Sequence, residues 1–156
     1  MATHKNLSFE SIDYLIVGSA ALFLVISWVY AGIEYSSLPE TIPTHFNAKG
    51  EADGFSNKST LWFICAIFTA LTVGIFYLAK ATHLHNTQLK TRLANFRSIA
   101  ALMPLIGIIQ GIAVITIVQN SKGDFAYSSW ILPVILGLTG IYLVFMIAFT
   151  IKNKKS

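Results

Sequence analysis

Between residues 38 and 58 the chain reads LPETIPTHFNAKGEADGFSNK, a short stretch whose polar groups include the His45 imidazole, the Asn47 amide, the Glu51 and Asp53 carboxylates and the Lys58 ammonium. Imidazole nitrogen and carboxylate oxygen are the donors a divalent transition metal takes, so His45, Glu51 and Asp53 are the candidate ligands. The same groups could pass protons in a hydrolysis. Both readings lack a part. The stretch holds a single histidine, no His-x-x-x-His pair stands on a helix nearby, and no serine or cysteine nucleophile is matched to the base. The sequence therefore predicts no metal, no cofactor and no enzyme, with His45 and Asp53 hydrogen-bonded to local backbone.

The same stretch reads better as a binding surface. Pro39 and Pro43 remove two backbone donors and push Leu38 and Ile42 toward extended conformations. A segment stiffened in this way loses less entropy when it binds. A short strand over 44–47 would put His45 and Asn47 on one face. Gly50 and Gly54 read as turns. His45, Asn47, Asp53 and Lys58 would make polar contacts, and Phe46 and Phe55 would act as apolar anchors.

The elements that must position this segment are membrane helices. Of 156 residues, 54% are hydrophobic and 12% charged, where soluble domains carry about a quarter charged. Four apolar runs, 12–33, 59–79, 98–119 and 129–151, each approach the roughly 20 residues needed to cross about 30 Å of hydrocarbon. The first run also resembles a signal peptide, with Val29-Tyr30-Ala31 as a weak cleavage site, but its flank is weakly basic and its length suits a retained helix. The predicted fold class is all-α: a single polytopic membrane domain, a four-helix transmembrane bundle with an ordered extracytoplasmic loop at 34–58.

Basic residues set the predicted orientation. The N-terminus, a basic loop at 80–97 and the C-terminus carry Lys5, Lys80, Lys90, Arg92, Arg97, Lys152, Lys154 and Lys155; the opposite side carries Lys49, Lys58 and Lys122. Eight against three places both termini in the cytoplasm. Trp28, Trp62 and Trp130 then fall at the outer helix ends, as an interfacial belt. The positive charge is a topology signal, and no nucleic acid is implied.

The ordered pattern Leu38-Pro39, Ile42-Pro43, His45-Phe46-Asn47, Gly50, Asp53 and Lys58 resembles the signature of the N-terminal domain of SdpI-like bacterial membrane proteins, a domain of unknown function. The resemblance covers roughly residues 25–80. It implies a helix–outer loop–helix unit in a bacterial plasma membrane, with Pro39, Pro43, His45, Phe46, Asn47, Gly50, Asp53 and Lys58 as the partner-binding motif. For the immunity protein that gives the family its name, it also implies toxin resistance and membrane sequestration of a repressor. The chain has no room for that protein's additional C-terminal helices.

The remaining features read as scaffold. His83 and His85 face solvent or headgroups, and Lys90, Arg92 and Arg97 meet anionic lipid. Gly107-x-x-x-Gly111 predicts a close intramolecular helix contact, and Gln110 between them an inter-helix hydrogen bond. No ionisable residue stands well inside a span, which disfavours a proton-coupled transporter. The expected function is a non-enzymatic inner-membrane protein whose loop meets a peptide or protein. The alternative is an accessory subunit of a larger membrane complex, and a less favoured one is a metal-dependent membrane enzyme. Membrane lipids are the constant partner.

Overall fold

The structure, a computed structural model, describes residues 9–82, 89–123, 133–142 and 144. Helix α1 (Ser11–Glu34) passes through a 3-10 turn (Tyr35–Ser37) into strands β1 (Thr41–Phe46) and β2 (Ala52–Asn57), and the chain returns along α2 (Thr60–Thr82). Helices α3 (Leu89–Ala100) and α4 (Leu102–Ser121) follow. The last described element is the apolar helix α5 (Pro133–Tyr142).

Three stretches are long and apolar enough to cross a membrane: Ser11–Ser37, Thr60–Ala81 and Leu93–Ser121. Within the fourth expected span only α5 is described, and it is shorter. Its far end touches α3, where Tyr142 Oη donates to the Ser98 carbonyl at 3.2 Å. The all-α expectation needs correction, since the loop between α1 and α2 is a two-stranded antiparallel sheet.

The basic segment at 80–97 is also not a plain loop. α2 runs on to Thr82, and α3 begins at Leu89. The α3 sequence LKTRLANFRSIA is rich in good helix formers, and Phe96 and Ala100, four apart, are buried together. Helix α3 meets α4 at Ala101. Pro104 has no N–H to offer the Ala100 carbonyl, so the ladder is interrupted at that turn. Lys5, His83, His85, Trp130 and the lysines after residue 150 lie outside the described residues.

Two apolar clusters hold the bundle. At the hairpin end, Leu38 and Ile42 bury against Leu61, Cys65, Val114 and Ile117. At the far end, Phe96, Ala100 and Met103 pack with Ala20 and Ala79. Between them α1 and α4 approach closely at the small residues the sequence singled out. A Cβ on Gly107 would stand 2.9 Å from Phe23 Cβ, and one on Gly111 would stand 3.3 Å from Ser27 Oγ. The Gly-x-x-x-Gly stripe is thus filled by the chain's own first helix.

Candidate functional site

The hairpin is built from its turn outward. Asn47 Oδ1 accepts the backbone N–H groups of Lys49 (2.8 Å) and Glu51 (3.0 Å), and its Nδ2 donates to Glu51 Oε2 at 2.9 Å. The Gly50 N–H closes the turn on the Asn47 carbonyl at 2.9 Å, and Gly50 takes a φ of +81° that L side chains rarely adopt. Asn47, Glu51 and Gly50 are therefore occupied in making the turn. Glu51 gives one carboxylate oxygen to this turn and keeps the other free, and among the described residues no three His, Cys, Asp or Glu side chains come together.

Past the turn, Phe46 pairs with Ala52, His45 with Gly54, Pro43 with Phe55 and Thr41 with Asn57. Gly54 is not a turn residue, as its sequence context predicts. It stands in β2 because a Cβ there would lie 2.8 Å from His45 Cβ. The register shifts on both sides of His45, an irregularity that re-aims a side chain. It turns the imidazole to the solvent face, where Nδ1 hydrogen-bonds Asp53 Oδ1. The side chains of His45 and Asp53 are 73% and 44% exposed, so the pair leaves Nε2 open to a visitor.

The other motif residues divide by role. Pro43 is buried, Pro39 is exposed, and Phe46 packs against the hairpin-end cluster as scaffold, not as an anchor. Phe55 is 62% exposed and remains available. Lys58 Nζ contacts Glu40 Oε1 at 2.9 Å and lies 5.4 Å from the centre of the Tyr35 ring, so it closes the base of the hairpin. The Glu40 carboxylate holds this ammonium above the usual lysine range. The cross-strand partner of Lys58 is thus a loop carboxylate. Trp28 and Trp62 stack at this end, 5.6 Å between ring centres, and Trp28 Nε1 donates to Thr69 Oγ1 at 3.0 Å.

Two polar groups, Asp13 and Asn120, escaped the sequence reading. Asp13, its side chain wholly buried, accepts Arg97 Nε at 2.8 Å and Nη2 at 3.1 Å, while Nη2 also donates to Glu10 Oε2 at 2.8 Å. Asp13 further accepts the Glu10 backbone N–H at 2.9 Å, which caps α1. The predicted topology put residues 13 and 97 at the same face, a signal that could have paired them. Asn120 is 5% exposed; its Nδ2 donates to the Thr116 carbonyl at 2.9 Å, and its Oδ1 has no partner among the described residues. An orphaned acceptor of this kind costs roughly 1–3 kcal/mol. Gln110 departs from its expected inter-helix hydrogen bond. Its amide is fully buried, and neither amide atom has a partner among the described residues.

Against this geometry the comparisons are informative about place. Residues 22–69 match the family described as a domain of unknown function, DUF1648. The matched stretch is the second half of α1, the whole hairpin and the first part of α2. An uncharacterized protein of Archaeoglobus fulgidus is 39% identical over 57 residues, which are 36% of this chain and 31% of the relative. The chain thus spans under a third of that relative's length. No solved structure matches. The family match falls on the hairpin and the adjoining parts of the two helices that flank it.

Proposed function

We propose that this chain is a non-enzymatic protein of a bacterial inner membrane, with both termini cytoplasmic, whose extracytoplasmic hairpin binds a peptide or protein. The observation that carries this reading is the exposed His45–Asp53 pair beside the exposed Phe55 on a hairpin whose other face is buried. Neither His45 nor Phe55 packs a core, and both are presented by a frame fixed at the turn by Asn47 and at the base by Lys58. An aromatic ring beside a polar pair on a rigid frame is the composition of an interaction surface. The resemblance to SdpI-like proteins makes a secreted peptide the first ligand class to try, and immunity the first role.

The test is photo-cross-linking in living cells, with a benzophenone side chain at position 55 and abundance followed in parallel. The expected result is a discrete adduct that disappears in His45→Ala while protein abundance stays normal. Loss of abundance in His45→Ala, or an unchanged adduct, would remove the pair from any binding role.

A further inference from the structure

A cleft of about 590 Å³ opens between the hairpin and the last turn of α4. Thr41, Pro43 and Phe55 form its apolar wall, Lys49 and Glu51 come from the turn, and Asn120 lies at its inner side. Of these residues the peptide-binding reading uses Phe55 alone. We infer that the cleft seats the headgroup of a phospholipid that carries a primary ammonium. The inference goes beyond the peptide-binding reading and rests only on its membrane part.

Depth gives the source. The apolar stretch Leu93–Ser121 ends one residue after Asn120, so the cleft lies at the level where hydrocarbon gives way to headgroups. Phospholipid is the solvent at that depth, and an exposed Phe55 ring beside the opening suits an interfacial position.

Charge and hydrogen bonding give the headgroup. The unpartnered Asn120 Oδ1, the Glu51 carboxylate and the carbonyl end of α4 are all acceptors or negative, and together they favour a cationic N–H donor. Lys49, on the same cleft, suits an anion. A zwitterion with ammonium toward Asn120 and phosphate toward Lys49 matches both. The Asn120 oxygen is buried in the absence of a ligand, so on this inference binding turns that side chain outward and exchanges its Nδ2 bond to the Thr116 carbonyl for the bond to the ammonium. A quaternary ammonium of equal charge has no N–H to give and cannot satisfy the acceptor.

The experiment uses the full chain purified in mild detergent. Its thermal unfolding and its retained lipid, by native mass spectrometry, are followed as phosphatidylethanolamine, phosphatidylcholine or phosphatidylglycerol of identical acyl chains is added. The expected result is a rise in Tm and retained lipid with phosphatidylethanolamine, at least tenfold weaker with the other two. Glu51→Gln, at an exposed turn, and Asn120→Leu should each erase most of that preference. Equal response to phosphatidylethanolamine and phosphatidylcholine overturns the inference, as does a preference that survives both variants. A lysine-bearing peptide that displaces no bound phosphatidylethanolamine supports a separate lipid seat, whereas one that takes the cleft in its place overturns it. Recovery of the wild-type chain from membranes by alkaline carbonate alone would overturn the membrane reading too, while loss of the position-55 adduct with lipid preference intact would fail only the peptide reading.

Discussion

At the far end of the bundle a guanidinium grips a carboxylate that water does not reach; at the hairpin end every described ion pair keeps at least one partner substantially open to water. Arg97 holds Asp13 through two nitrogens, and the Asp13 side chain is 0% exposed. His45–Asp53, Lys58–Glu40 and Lys122–Glu34 sit on or near the surface. The contrast separates charge used to lock helices from charge left available. A buried pair tolerates no loss of one partner, because the other is then stranded without solvent. An exposed pair is screened and contributes little to stability, so its presence on a rigid hairpin calls for another use.

The largest expected effect tests whether the two ends lie on opposite sides of a membrane at all. With buried Cys65 as the sole native thiol, a cysteine at Ala48 should react with an impermeant reagent on intact cells, and one at Asn86 should react only after lysis. The reverse pattern would invert the comparison.

Next in size is the far-end lock. Arg97→Met should cost roughly 3–5 kcal/mol in detergent unfolding, because it strands Asp13. Adding Asp13→Asn should recover part of that loss. Arg97→Lys keeps the charge but loses the two-nitrogen fork, and should fall between.

At the hairpin end the steric fit outweighs the charge. Gly54→Val should destabilise by roughly 1–3 kcal/mol, since its Cβ meets that of His45 at 2.8 Å. His45→Gly on the same background removes the opposing atom and should restore proteolytic resistance of the hairpin.

The smallest effect belongs to Lys58. Its pKa is raised in the fold by Glu40, so the contribution is complete below the ordinary lysine pKa and fades only as pH climbs through the higher folded value. Hairpin protection from proteolysis should accordingly be flat from pH 6 to about 9. Lys58→Met should shift the transition little, and a steep loss in that window would show that the surface pair carries more than its exposure implies.

The helices were legible because apolar run length is a strong signal and has few competing explanations. The first three runs reappear as membrane-length helices, and the third extends backward because Phe96 and Ala100 give α3 a buried stripe among basic residues. β2 was not legible. Ala52–Asn57 reads ADGFSN, poor in β-branched residues, and its Asp-Gly pair is a common turn signal. What makes it a strand is tertiary: Gly54 clears His45, and Phe55 lies opposite Pro43. Arg97 was read as a lipid-facing topology charge, because only the folded bundle shows which acid stands beside it. Asn120 gave no signal, since an amide at a helix end is ordinary until its neighbours are known.

The Asp13–Arg97 lock joins residues 84 apart in the chain. At translation rates of about 5–20 residues per second, the arginine leaves the ribosome roughly 4–17 seconds after the aspartate. For that interval the first helix carries an acid with no counter-ion, so it must wait at the bilayer surface, take up a proton, or lean on the insertion machinery until the third helix arrives. Biogenesis of this protein is therefore paced from its middle, and a nascent chain stalled before residue 97 should hold its first helix less firmly than one stalled just beyond.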